Sequence, residues 1–132
     1  MGVTWSAELT FEQSAIRQHV PQQPGVYQIR QVPGYSRYAG TTHVIKIGRS
    51  DNDLQAEILN HFVRHTVANR LARIRSQAGV VVSVAFAQLP AAEAGAAEAK
   101  LLCEFEDLHF DLPVLNSQRG YARDSDIHYR QP

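Results

Sequence analysis

The sequence predicts a single mixed α/β domain: a small three-stranded sheet flanked by helices. Three observations predict it. The apolar runs 26–32, 44–48 and 80–86 are short, bounded by turn residues and rich in β-branched side chains. Between and around them, apolar residues recur at helical spacing near 10–19, 54–62, 67–77 and 91–108. At 132 residues the chain is one domain by size, long enough to bury roughly two-thirds of its extended-chain surface without staples.

Each element has its own local reason. Thr10 followed by Gln13 is a capping-box pattern, and Phe11, Ala15, Ile16 and Val20 follow it, so a first helix is expected over 10–19 until Pro21 stops it. Residues 26–32 alternate, with Val26, Gln28, Arg30 and Val32 on one face and Tyr27, Ile29 and Gln31 on the other. Pro33-Gly34 breaks this strand, and 35–42 reads as a polar, tyrosine-bearing loop before the partner strand resumes at Val44. Asp51 or Asn52 caps the next helix, whose stripe is Leu54, Ile58, Leu59 and Phe62. A following helix presents Val67, Leu71, Ile74 and Ala78 inward and ends at Gly79. The run 80–86 is apolar at nearly every position and is expected inside its sheet. Pro90 and Ala91 open a long helix to about Leu108, with Ala92, Ala96, Leu101, Leu102 and Phe105 as core candidates and Pro113 as its stop. The organisation is an N-terminal helical extension over 1–20, the main domain over 21–117 and an irregular tail over 118–132.

Composition narrows the function classes. Thirteen Lys and Arg balance thirteen Asp and Glu, which argues against an indiscriminate polyanion binder while leaving room for a local basic face. The segment carrying Arg64, Arg70, Arg73 and Arg75 contains no acid and is that face. One cysteine, Cys103, excludes an internal disulfide and points to a reducing compartment, the cytoplasm; within Leu101-Leu102-Cys103-Glu104-Phe105 it reads as a small buried hydrophobe. No apolar run approaches the ~20 residues of a membrane span.

The chemistry-bearing residues concentrate at the first two strands. Pro21-Gln22-Gln23-Pro24-Gly25-Val26-Tyr27 is answered by Val44-Ile45-Lys46-Ile47-Gly48-Arg49-Ser50, which puts a phenol and an amine on neighbouring strands. Downstream stand Glu98 on the long helix and Asn116 beyond it. On the intervening helix Glu57, His61 and His65 share one face at i, i+4 and i+8, a spacing able to meet a metal, though without the surrounding pattern of a known zinc motif.

Together these residues resemble the GIY-YIG nuclease family. Gly25-Val26-Tyr27 is similar to its first signature with Val for Ile, the leading prolines resemble the excision-repair branch, and Lys46-Ile47-Gly48 is similar to the second signature with Lys for Tyr. The resemblance covers about 21–117 and implies a metal-dependent DNA endonuclease that hydrolyses a phosphodiester with one Mg2+ or Mn2+. Tyr27 would relay a proton from the attacking water, Lys46 would depress the tyrosine pKa or activate the water itself, Glu98 would hold the metal and Asn116 would support the site. The family places an arginine one turn before a histidine after the second signature. Here that register holds Glu57 and His61, and a carboxylate does not clamp a phosphate. Asn69-Arg70-Leu71 resembles a later register, which makes Arg70 the expected clamp and His61 a substitute or assisting base. Arg49, Arg64, Arg70, Arg73 and Arg75 are the expected DNA contacts, with Arg30 and Arg37 able to extend them. A catalytically impaired nucleic-acid-binding or assembly module on the same scaffold is the alternative. A domain this small leaves sequence specificity to a homodimer or an additional partner.

Overall fold

A computed structural model describes residues 2–64 and 66–116; His65 and the expected tail 118–132 lie outside the described residues. Strand β1 is Leu9–Thr10, helix α1 Gln13–His19, β2 Gly25–Arg37 and β3 Gly40–Ser50. Helix α2, Leu54–Leu59, runs into a 3-10 turn at Asn60–Phe62; α3 is Ala68–Arg75, β4 Val81–Gln88 and α4 Ala91–His109. The sheet is antiparallel in the order β1-β4-β2-β3, four strands where three were expected. The extra strand is two residues long, Leu9 and Thr10 against Val84 and Ser83, too short for any alternation to show. Thr10 therefore serves the sheet rather than capping α1, whose N-cap is Glu12 without a side-chain bond.

Pairing sorts the side chains by face. Tyr27 stands opposite Gly48 and Phe86, Ile29 opposite Lys46 and Val84, and Gln28 opposite Ile47 and Ala85. On the Tyr27 face, Ile29, Val82 and Val84 join Phe11, Ile16, Val20, Leu54, Ile58, Val67 and Leu71 in one buried cluster. The first twenty residues thus supply both a strand and core side chains. Helix α4 packs on β2 and β3, over the face of Val26, Ile47, Ala85 and Ala87, all buried. Its inward residues are Ala94, Leu102 and His109; Ala92 and Ala96, expected in the core, are exposed. In an alanine-rich helix the apolar stripe is too broad to set the phase. Cys103 is half-buried, with its thiol 3.7 Å from an Asp107 oxygen, not the core residue expected.

The segment expected as a loop at 35–42 is instead a β-ribbon. Pro33 and Gly34 fall in the register shift between the Arg30 and Tyr35 pairs, where a missing N–H breaks no ladder bond. Helix α2 is capped by Asp53, which accepts from the Ala56 N–H at 3.0 Å, one or two residues beyond the expected cap. Ser50 accepts from the N–H groups of Asn52 and Asp53 and so shapes the turn before it. Helix α4 ends at Phe110, in the left-handed region with φ 58°, three residues ahead of the proline expected to stop it. Among the described residues no helix is long and apolar enough to cross a membrane.

Candidate active site

The outer edge of the sheet, at β3, gathers the chemistry. Tyr27 on central strand β2 points across Gly48 on β3; a methyl at Gly48 would lie inside van der Waals contact with the tyrosine hydroxyl and ring. The absent side chain is what lets the phenol reach toward the edge. There the Tyr27 hydroxyl donates to Glu57 Oε2 at 3.0 Å and lies 3.2 Å from His61 Nε2. His61 Nδ1 is 3.0 Å from the Glu57 carbonyl oxygen. A carbonyl only accepts, so Nδ1 carries the hydrogen in that contact. The rings of Tyr27 and His61 meet edge to face at 5.4 Å, and both residues are 1% exposed.

The electrostatics follow from that burial. Desolvation raises the Tyr27 pKa well above the usual value, and the charge and hydrogen bond of Glu57, then the charge of Glu98, raise it further. The expected depression by Lys46 is overturned, because a buried phenol held by a carboxylate keeps its proton. Lys46, half-buried on β3, is lowered by desolvation; Glu98 and Glu57 draw it back up and Arg70 pushes it down. Arg70 thus has its charge within reach of Lys46 although its side chain is exposed. Glu98 is raised by desolvation, with Arg49 and Lys46 opposing and Asp51 and Glu57 adding. Its side chain is 23% exposed, with Oε1 3.6 Å from Arg49 Nε. Lys46 and Arg49 occupy opposite faces of β3, and Glu98 interacts with both.

Asn116 has a structural place at the same edge. Tyr35 donates to the Val44 carbonyl at 2.6 Å and accepts from the Val114 N–H at 3.2 Å. The Leu115 N–H donates to the Ile45 carbonyl at 2.9 Å. Asn116 then accepts from the Ile47 N–H at 2.9 Å and donates to the Ile47 carbonyl at 2.8 Å. The side-chain amide thereby stands in for a neighbouring peptide and closes the edge of β3 between Lys46 and Gly48. Replacing Asn116 by Ala is expected to lower stability by about 1–3 kcal/mol, since both Ile47 backbone groups lose their partner; urea unfolding measures it, and an unchanged midpoint would refute the role.

The structure therefore brings Tyr27, Lys46, His61, Glu98 and Asn116 together, with Arg49 and Arg70 at the margin. Arg64 and Arg73 are exposed on the helical side. Arg75 is engaged elsewhere, stacked over Phe11 and Phe62 with its guanidinium 5.3 and 5.0 Å from the ring centres and donating to the Phe11 carbonyl. Glu57, read in the sequence as a carboxylate where an arginine belongs, is the tyrosine's partner. The i, i+4 spacing of Glu57 and His61 was its signal. Gly95 was missed, although it is the lone glycine in an alanine-rich helix.

Among the described residues no three His, Cys, Asp or Glu side chains gather into a metal-holding cluster. Zinc normally takes three or four protein ligands, and Glu57 and His61 both turn to Tyr27. Magnesium keeps most of its waters and needs only one or two carboxylates beside substrate phosphate. Glu98, half-buried with solvent on one side, fits that demand. Comparison of the chain with protein-family models, curated proteins and solved structures finds no match.

Proposed function

We propose that this domain hydrolyses DNA phosphodiester bonds with Mg2+ or Mn2+. The observation that carries the reading is the convergence on one sheet edge of a phenol–carboxylate–imidazole group, an amine and a half-buried carboxylate, drawn from β2, α2, the 3-10 turn, β3 and α4. The order of elements supports the GIY-YIG resemblance: a β2–β3 hairpin, helices, β4 returning on the far side of β2, then a long helix.

The raised Tyr27 pKa disfavours a tyrosinate base and is compatible with a relay. The attacking water passes its proton to the Tyr27 oxygen as the phenolic proton moves to Glu57 Oε2, so the phenol stays neutral throughout. His61 braces the tyrosine ring edge to face. Lys46 and Arg70 place positive charge where the phosphate arrives. Glu98 would hold the metal, whose contribution is to neutralise charge on the scissile phosphate and leaving oxygen. Purified protein incubated with plasmid and branched DNA in Mg2+ or Mn2+ is expected to nick the DNA, with EDTA stopping the reaction and Glu98→Gln slowing it at least ~100-fold.

One observation favours a second reading. Tyr27 is 1% exposed with its hydroxyl already held by Glu57 and His61, a closed arrangement that also suits a nucleic-acid-binding or assembly module without cleavage. Salt-dependent DNA binding with no nicking in either metal selects that module.

A further inference from the structure

We infer that Arg49 is a resident counter-ion of Glu98 and competes with a divalent cation for that carboxylate. The inference rests on the reading of Glu98 as the metal-holding residue and concerns what occupies it beforehand. Arg49 Nε lies 3.6 Å from Glu98 Oε1, and Arg49 Nη1 lies 3.8 Å from Asp51 Oδ1. Both separations exceed charge-assisted hydrogen bonds, which run near 2.7–2.9 Å. The guanidinium is thus held by charge rather than locked by geometry, and its side chain is 41% exposed, open to exchange.

Helix α4 is shaped to receive it. A methyl at Gly95 would collide with Arg49 Nη1. Glycine inside a helix costs about 1 kcal/mol relative to alanine, and the neighbouring positions of 91–99 are mostly alanine. The notch offsets that cost by admitting the guanidinium beside Glu98, one turn along the same helix.

A guanidinium beside the carboxylate repels an arriving dication, so each cation weakens the hold of the other on Glu98. The displaced Arg49 retains its planar fork, which suits a phosphate. Metal entry and phosphate capture are therefore coupled, and the coupling is reciprocal.

The test is direct Mn2+ binding, followed by the paramagnetic resonance signal of free Mn2+, without DNA. Arg49→Gln is expected to bind Mn2+ about tenfold more tightly than the wild type, a change of ~1.4 kcal/mol. Gly95→Ala, which pushes the tip of the guanidinium out of its notch and keeps the charge, should move affinity the same way. Equal or weaker Mn2+ binding by Arg49→Gln overturns the competition while leaving the site reading intact. If Glu98→Gln in the Arg49→Gln background leaves Mn2+ binding undiminished, Glu98 is not the ligand and both readings fall. In the Tyr27→Phe background, Mn2+ should tighten binding of a short fluorescent duplex more with arginine at position 49 than with glutamine; an equal gain overturns the release of Arg49 to phosphate.

Discussion

Replacing Tyr27 by Phe is expected to slow DNA cleavage by about 10²–10⁴-fold, the usual contribution of a positioned proton-transfer group, while the domain stays folded. The ring that fills the core remains, so packing is retained. What is lost is the hydroxyl between Glu57 Oε2 at 3.0 Å and His61 Nε2 at 3.2 Å, and with it the proposed path for a proton leaving the water. A second readout separates this loss from general damage. Tyr27 is held above its usual value of 10.0 by desolvation first and Glu57 second. Above about pH 10 the unfolded chain releases this proton while the native state keeps it, so the native state binds more protons and stability falls as pH rises. Below that the contribution is fully present. Urea midpoints at neutral and alkaline pH should show a steeper alkaline fall for the wild type than for Tyr27→Phe. Cleavage within threefold of wild type would remove Tyr27 from the mechanism.

Gly48→Ala is expected to be as damaging by a different route. The added methyl would fall on the Tyr27 hydroxyl and two of its ring carbons, and Tyr27, at 1% exposure, has nowhere to retreat. Overpacking of this kind costs about 1–3 kcal/mol. Whatever relaxation the protein finds must move the phenol away from Glu57 and His61, and an ångström of misplacement costs about 100-fold in rate. Thermal melting and the nicking assay should fall together. A variant with wild-type melting temperature and wild-type cleavage would show that the phenol does not need to cross Gly48.

Much of the fold was legible in the chain because burial imposes its own period. Val81–Gln88 reads as an interior strand since both of its faces are covered, and it lies between β1 and β2. The stripe Leu54, Ile58 and the pair Val67, Leu71 emerge buried for the same reason. Legibility failed where local signals were weak or ambiguous. Strand β1 is too short to alternate, and its residues pair with Val84 and Ser83 on a distant element. The ribbon at 35–42 reads as polar loop because its tyrosine and arginine bond to segments far along the chain: Tyr35 to Val114, and Arg37 to the Leu112 carbonyl at 3.0 Å.

The site divides along the same line. Tyr27, Lys46, Glu98 and Asn116 are recognisable in the chain because a side chain's type and its strand or helix are local properties. Pairing, burial and charge are not local. Glu57 looked misplaced until the fold set it against a buried phenol, and the Tyr27 shift runs upward because desolvation and then Glu57 raise it. The sequence by itself determined which groups are present and which elements carry them. Only the tertiary structure decided which groups meet, because desolvation and Coulomb energy depend on distances between residues tens of positions apart.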